Sequence, residues 1–303
     1  MRKNPYLLPL VLLIVTALAC SLPLAGAPPT ATIEPPTAAP TPTVPLQEAS
    51  ATPTSQPTSA QPSPTVPPEP TRAPATTSQP DVSYEGISFS YDPSLASGVK
   101  PSTVAAVSGN DIPPWEIAPT TYTFEFTGYR LVGTFHQPHI WIYPVDEFAR
   151  LSDFAQEQVD QLKLLLQQQP ADPGDIPFLP IWNAAQMMQA KVRYLDFQSG
   201  SGVRFLTMYG QAAAPVNNYS LFYCFQGLTA DGRYYISAVL PTSHPSLPND
   251  LSGFSADDYN KIAEDFPNYI TGAEKQLSNQ PDESFTPSLA LLDALVQSLN
   301  IAR

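Results

Sequence analysis

Alternating apolar and polar residues predict several β-strands in the second part of the chain. Between Tyr84 and Tyr91 the apolar side chains at alternate positions define one face of a strand that ends before Pro93. The same alternation predicts a strand over 122–126, a weaker pattern favours one near 103–107, and a more fully apolar run predicts one over 139–143. A period of two residues is typical of strands with a buried face, so we expect these segments to form a sheet.

Two hairpins are predicted further along the chain. Residues 191–198 and 203–209 flank Ser-Gly-Ser-Gly, while residues 219–226 and 233–240 flank Leu-Thr-Ala-Asp-Gly. Short glycine-containing connections between aromatic and β-branched runs are typical of antiparallel hairpins. The sequence therefore predicts that the sheet is antiparallel.

The clearest helical pattern lies between these strands. Apolar residues recur every 3.6 positions over 151–166, where they alternate with carboxylates and glutamines. Ser152 is a suitable N-cap, and Pro170 is expected to end the helix.

Two more helices are predicted near the C-terminus. Ser255 and Asp258 resemble a capping box at the start of the first, which is expected to bend near Pro267. Thr286-Pro287 is expected to begin the last helix. Together the elements predict an α+β domain whose antiparallel sheet has at least one face covered by helices.

The first 19 residues have the layout of a secretory signal. Arg2 and Lys3 precede an apolar core over 7–17, which is shorter than the roughly 20 residues that a transmembrane helix needs. The following Ala17-Leu18-Ala19-Cys20 resembles the lipobox of bacterial lipoproteins. This resemblance implies acylation of Cys20 and attachment to a bacterial membrane, either the cell membrane or an outer membrane. The alternative is a secreted protein cleaved near Ala19 or Ala27.

A proline-rich segment separates this signal from the rest of the chain. Residues 20–82 consist largely of Pro, Thr, Ala and Ser, and no aromatic residue occurs between Tyr6 and Tyr84. Such a composition buries too little apolar surface to offset the entropy of ordering, so a disordered tether is expected. Residues 83–303 are long enough for a single globular domain.

Net charge limits the partners that this protein can bind. The formal charge is -13, and removal of the signal with Arg2 and Lys3 changes it to -15. Nucleic acids and anionic lipid headgroups would be repelled. We therefore expect membrane association through the acyl chains on Cys20 and no nucleic-acid partner.

Two short motifs in the domain resemble known proteins. Residues 84–93, Tyr-Glu-Gly-Ile-Ser-Phe-Ser-Tyr-Asp-Pro, together with the order of elements, resemble the PsbP/Mog1-like fold. Residues 202–207 and 225–235 resemble an uncharacterised family of lipid-anchored extracytoplasmic proteins with proline/threonine-rich tethers. These resemblances imply a fold and a location but no activity.

The aromatic and arginine residues on and beside the hairpins are candidate contacts for a protein or carbohydrate partner. Aromatic rings with polar groups suit both kinds of contact, but packing in the core is the favoured interpretation for the aromatic residues. The candidates are Trp182, Arg204, Tyr209, Tyr223, Arg233 and Tyr235.

No catalytic or cofactor-binding motif occurs in the sequence, so no catalytic, cofactor or metal residue is assigned. His136 and His139 could offer two imidazoles to a metal, but no nearby cysteine or carboxylate cluster completes a site. Cys224 lies in an apolar run and is expected to be a buried thiol. The leading hypothesis is a non-enzymatic binding or structural module. The alternative is a cell-envelope hydrolase that uses His136, His139 or His244 with an acidic partner.

Overall fold

The computed structural model describes residues 81–303, which form an α+β domain as predicted. The predictions for Cys20, the signal and nearly all of the tether lie outside these residues. The strands are β1 (Val82–Tyr84), β2 (Ile87–Phe89), β3 (Gly98–Val104), β4 (Thr121–Thr127), β5 (His139–Pro144), β6 (Ala185–Gln186), β7 (Ala190–Phe197), β8 (Gly200–Thr207), β9 (Tyr209–Gly210), β10 (Phe222–Thr229), β11 (Tyr234–Pro241) and β12 (Asn300–Ile301). The helices are α1 (Val145–Leu151), α2 (Asp153–Gln168), α3 (Ala256–Glu264), α4 (Phe266–Ser278) and α5 (Leu289–Gln297), with a 3₁₀ helix at Asp282–Ser284.

Seven strands form the main sheet, in the order β3-β4-β5-β11-β10-β8-β7, with every neighbouring pair antiparallel. Phe225 of β10 pairs with Arg204 of β8 and with Ala238 of β11, so the two predicted hairpins lie side by side. A small sheet, β1-β2-β12, and a two-stranded ribbon, β6-β9, complete the strands. Within residues 81–303, no helix is both long and apolar enough to cross a membrane.

The main sheet separates two hydrophobic cores. On β10, Tyr223 and Phe225 face one core, while Phe222 and Cys224 face the other. Helices α4 and α5 and the small sheet cover the first core, and α1 and α2 cover the second. Because both faces are covered, every residue of β10 is buried, and the strand is apolar except for Gln226 and Thr229.

The predicted helix signals are largely confirmed. Ser152 caps α2 by accepting a hydrogen bond from a backbone N–H of its first turn. Ser255 and Asp258 form a reciprocal capping box at the start of α3. Helices α3 and α4 separate at Asp265, two residues before Pro267, where the sequence predicted a bend.

The single strand predicted over 84–91 is wrong. Glu85 and Gly86 have φ angles of 51° and 74°, and the turn that they form folds β1 back on β2. Such positive φ angles are typical of tight hairpin turns. Strand β1 has only three residues. Its alternating pattern is too short to be distinguished, from the sequence, from the pattern of β2.

Two other boundaries also differ from the predictions. The strand predicted over 103–107 is instead β3, which contains Pro101 and forms an edge of the sheet, where a missing N–H is tolerated. Helix α5 does not begin at Thr286-Pro287, because the hydroxyl of Ser288 caps it by accepting the N–H of Ala290.

The glycines of Ser-Gly-Ser-Gly lie in β8 and not in the turn of the first hairpin, which contains only residues 198–199. A Cβ atom at Gly202 would collide with the ring of Phe225 and the carbonyl of Gln226. These glycines therefore allow a close approach of β8 to β10.

Candidate functional site

A groove lined largely by aromatic residues lies at one end of the main sheet, where β8 ends and β10 begins. It has a volume of about 630 Å³, within the range typical of small-molecule sites. We call it the aromatic groove. Its lining residues are Phe135, His136, Trp182, Asn183, Ala184, Tyr209, Gly210 and Gln211.

Three separate segments of the chain form its walls. The loop between β4 and β5 supplies Phe135 and His136, and the segment before β6 supplies Trp182. Strand β9, which follows β8 almost directly, supplies Tyr209. Pairing of β6 with β9, extended by a 2.9 Å hydrogen bond from Met187 N–H to the Met208 carbonyl, joins the last two segments.

The rings in the groove are fixed by their mutual packing. His136 stacks on Trp182 with a centroid distance of 4.7 Å and an interplanar angle of 7°. Tyr209 meets Trp182 edge to face at 5.2 Å, and Phe222 packs against His136 at 4.6 Å from the second core. Such stacked and edge-to-face pairs stabilise one arrangement of the rings, so the groove is preformed.

Phe135 extends this aromatic surface toward solvent. Its side chain is 62% exposed, and its ring lies 5.9 Å from that of Tyr219. A 2.8 Å hydrogen bond from the Phe135 N–H to the Tyr219 carbonyl fixes the backbone at this position. Phe135 and Tyr219, which is 41% exposed, therefore add aromatic surface at the rim of the groove.

Burial keeps His136 neutral. It lowers the pKa of the imidazole from 6.5 to about 4. Its Nε2 atom is buried and has no hydrogen-bond partner among residues 81–303. At neutral pH this ring therefore contributes an uncharged aromatic surface.

The polar part of the groove consists of uncharged amides. Asn183 and Gln211 are exposed, and the Gln211 side-chain amide donates a 2.8 Å hydrogen bond to the backbone carbonyl of Asn183. No Asp, Glu, Lys or Arg residue lines the groove. The site thus combines aromatic surface with hydrogen-bonding groups and carries no formal charge at neutral pH.

The six candidates from the sequence do not share one site. Trp182 and Tyr209 meet in the groove, whereas Arg204 and Tyr223 belong to a buried ionic cluster. Asn183 and Gln211 were missed because isolated amides carry no sequence signal. Phe135 was also missed, since only its neighbour His136 was considered.

The buried ionic cluster joins the sheet to the C-terminal elements. Arg204, only 1% exposed, lies 3.0 Å from Asp282 and 3.2 Å from Asp293, and Tyr223 donates a 3.0 Å hydrogen bond to Asp293. Lys191 contacts Asp282 at 2.6 Å. Both side chains are buried in this structure, so neither is exposed for contact with a partner. We therefore correct the assignment of Arg204 and Tyr223 from binding roles to structural roles.

Tyr235 and Arg233 also lie outside the groove. Tyr235 is fully buried and donates a 2.6 Å hydrogen bond to Gln226, so its assignment as a binding residue is also corrected. Arg233 is exposed at the other end of the second hairpin, where it donates a 2.8 Å hydrogen bond to the Arg303 carbonyl. It remains accessible but is separate from the aromatic groove.

The remaining histidines and the free cysteine have local partners. His139 stacks on Trp141 at 5.1 Å, and His136 stacks on Trp182. Within residues 81–303, no group of three or more His, Cys, Asp or Glu residues could hold a metal ion. Cys224 is buried as predicted, and burial raises the pKa of its thiol.

His244 bridges two hydroxyl groups. Its Nδ1 lies 2.7 Å from Ser246 Oγ, and its Nε2 lies 3.0 Å from Ser284 Oγ. Ser284 donates its hydroxyl hydrogen to the Pro281 carbonyl at 2.7 Å, so it accepts the Nε2 hydrogen. The ring thereby links the loop after β11 to the 3₁₀ helix, and its two side-chain partners are serines and not carboxylates. The hydrolase hypothesis gains no acidic partner here and stays a hypothesis.

Comparisons with known proteins give no further information about this site. A scan against protein-family models, a search of curated proteins and a search of solved structures each found no match to this chain. The resemblances to the lipobox and to the PsbP/Mog1-like fold therefore stay predictions.

Proposed function

We propose that this protein is a lipid-anchored, extracytoplasmic binding module that holds an uncharged ligand in the aromatic groove. The observation that carries this proposal is the preformed groove itself, in which Trp182, His136 and Tyr209 pack around a 630 Å³ space beside the exposed ring of Phe135. Preformed aromatic pockets with a few polar groups are typical of ligand-binding sites.

The chemistry of the lining supports binding over catalysis. None of the eight lining residues is a serine, cysteine, lysine or carboxylate, so His136 and Tyr209 are the only side chains among them that could act as nucleophiles. Burial lowers the pKa of His136 and raises that of Tyr209, which makes the first a weak base and the second a weak acid.

The N-terminal sequence supports the proposed location. Cys20 follows an apolar segment in a lipobox-like context, and the proline-rich residues after it would separate the domain from the membrane. Two or more acyl chains anchor a protein stably, whereas a single chain binds only marginally. The charge of -15 predicted for the processed chain gives no attraction to anionic lipids, so anchorage depends on the acyl chains.

The anchor can be tested by replacing its cysteine. We expect Cys20→Ala to move the protein from the membrane fraction to the soluble fraction and to abolish labelling by a palmitate analogue. Cys224→Ala, which changes the other cysteine, should keep both properties. Membrane retention of Cys20→Ala after a high-salt wash would contradict the anchor.

The groove can be tested by removing its exposed ring. A full-length chain carrying Cys20→Ser is mixed with isolated bacterial envelopes, and the bound fraction is measured by sedimentation. We expect Phe135→Ala to weaken binding about tenfold, because an aromatic contact is lost at a site that is already exposed. Trp115→Ala, 46% exposed and outside the groove, is the matched control. Equal binding by the Phe135→Ala variant and its parent would contradict the proposed function.

A further inference from the structure

We infer that the ligand of the aromatic groove is a neutral oligosaccharide, an inference that rests on the binding function proposed above. Three properties of the groove lead to this class of ligand. They are its lack of charge, the depressions that continue from it, and the pairing of aromatic rings with amide groups.

The charge of the groove is the first property that limits the class of ligand. The groove carries no formal charge at neutral pH, while the chain as a whole has a formal charge of -13. A polyanionic glycan would be repelled by the protein and would find no lysine or arginine in the groove to offset that repulsion. A cationic ligand would find no carboxylate there. An uncharged ligand fits both conditions.

Shape favours an extended ligand. Two further depressions, of about 560 and 250 Å³, adjoin the groove and share Trp182 and Ala184 with it. The smaller one continues past Tyr209 to the side-chain amides of Gln158 and Gln186, and its lining also includes the carboxylate of Asp175, which lies outside the groove itself. A chain of several rings would therefore meet aromatic and amide groups along much of this surface.

The amides distinguish a sugar from other uncharged ligands. A sugar ring offers C–H faces that pack on aromatic rings, and its hydroxyls both donate and accept hydrogen bonds. Asn183 and Gln211 likewise both donate and accept. An acyl chain would desolvate these amides without pairing them, and a proline-rich peptide has few N–H groups for their oxygens. A hydroxyl-rich ligand satisfies both the rings and the amides.

The test uses the full-length chain carrying Cys20→Ser and isothermal titration calorimetry. The probes are hexasaccharides of β-1,4-linked glucose and of β-1,4-linked N-acetylglucosamine, whose equatorial substituents leave flat C–H faces. We expect at least one to bind with a stoichiometry of one. Phe135→Ala should weaken that binding about tenfold, and Asn183→Ala and Gln211→Ala about fivefold each. Trp115→Ala should bind like its parent.

The variants change exposed side chains, so a loss of binding can be distinguished from a loss of folding. Phe135, Asn183 and Gln211 are all exposed, and far-ultraviolet circular dichroism of each variant checks that its fold is kept. If neither hexasaccharide binds while envelope binding still depends on Phe135, the sugar inference is overturned and the binding function stands. A proline-rich peptide and a fatty acid are also tested. If neither displaces a bound hexasaccharide, the inference is supported. If either one binds in a Phe135-dependent manner while no hexasaccharide binds, the inference is overturned. If envelope binding is independent of Phe135, the proposed function itself fails.

Discussion

His136 shows how one buried titratable side chain couples the groove to the stability of the domain. It stacks on Trp182, packs against Phe222 and lacks a hydrogen-bond partner for Nε2 among the described residues. Protonation would place a positive charge among aromatic rings with no carboxylate in the groove to offset it. The folded state therefore holds this imidazole in its neutral form.

This predicts a pH dependence of the free energy of unfolding. Above pH 6.5 the imidazole is neutral in both the folded and the unfolded state. Between pH 6.5 and about 4 the unfolded state binds the proton more readily, so stability falls as pH decreases, by roughly 3 kcal/mol in total. Urea denaturation at pH 7 and pH 4 measures the loss.

A substitution isolates the contribution of His136 from that of the other titrating groups. We expect His136→Gln to lose less stability than the wild type between pH 7 and pH 4, because it carries no titrating ring. His139→Gln, at the start of β5 and outside the groove, is the matched control. Identical losses in the wild type and His136→Gln would show that the buried imidazole does not govern this pH range.

At the scale of elements, the buried ionic cluster connects parts of the chain that are distant in sequence. Arg204 on β8 and Tyr223 on β10 contact Asp293 on α5, and Arg204 also reaches Asp282 in the 3₁₀ helix. Burial raises the pKa of Asp293, while the charge of Arg204 opposes that change. The cluster orients the C-terminal elements against the sheet, because its charges are satisfied only in that arrangement.

Loss of one member of the buried ionic cluster should lower the free energy of unfolding. Asp293→Ala would leave the almost fully buried Arg204 with one fewer counter-charge, and we expect a loss of about 3–5 kcal/mol in the free energy of unfolding. Asp160→Ala, which removes an exposed ion pair with Lys163, should cost only about 0–1 kcal/mol. Chemical denaturation compares the two variants. Similar midpoints for both would contradict a structural role for the cluster.

Elements with local signals were predictable, and the groove was only partly so. Ser152 and the Ser255–Asp258 pair act within one helical turn, so the sequence alone identified these caps. The turn at Glu85-Gly86 was missed because the strand before it is too short to show a period. Trp182 and Tyr209 were identified as candidates, but their meeting with the loop before β5 depends on the order of strands in the sheet, which no local pattern contains.

For the whole molecule, charge and anchorage act together. The net charge of -13 belongs to the chain as a whole, whereas the residues that line the groove carry no formal charge at neutral pH. In our proposal the acyl chains on Cys20 set where the protein is held, and the groove selects what it binds. This division of roles predicts that Cys20→Ala changes location without changing binding in the groove, and that Phe135→Ala does the opposite.

The origin of the groove walls in distant parts of the chain has a thermodynamic consequence. Phe135 precedes β5, whereas Tyr209 follows β8, so a ligand in contact with both would act as a noncovalent cross-link between them. By mass action, a ligand at 100 times its dissociation constant adds about 2.7 kcal/mol to the stability of the folded state. The melting temperature of this domain would then report occupancy of the groove.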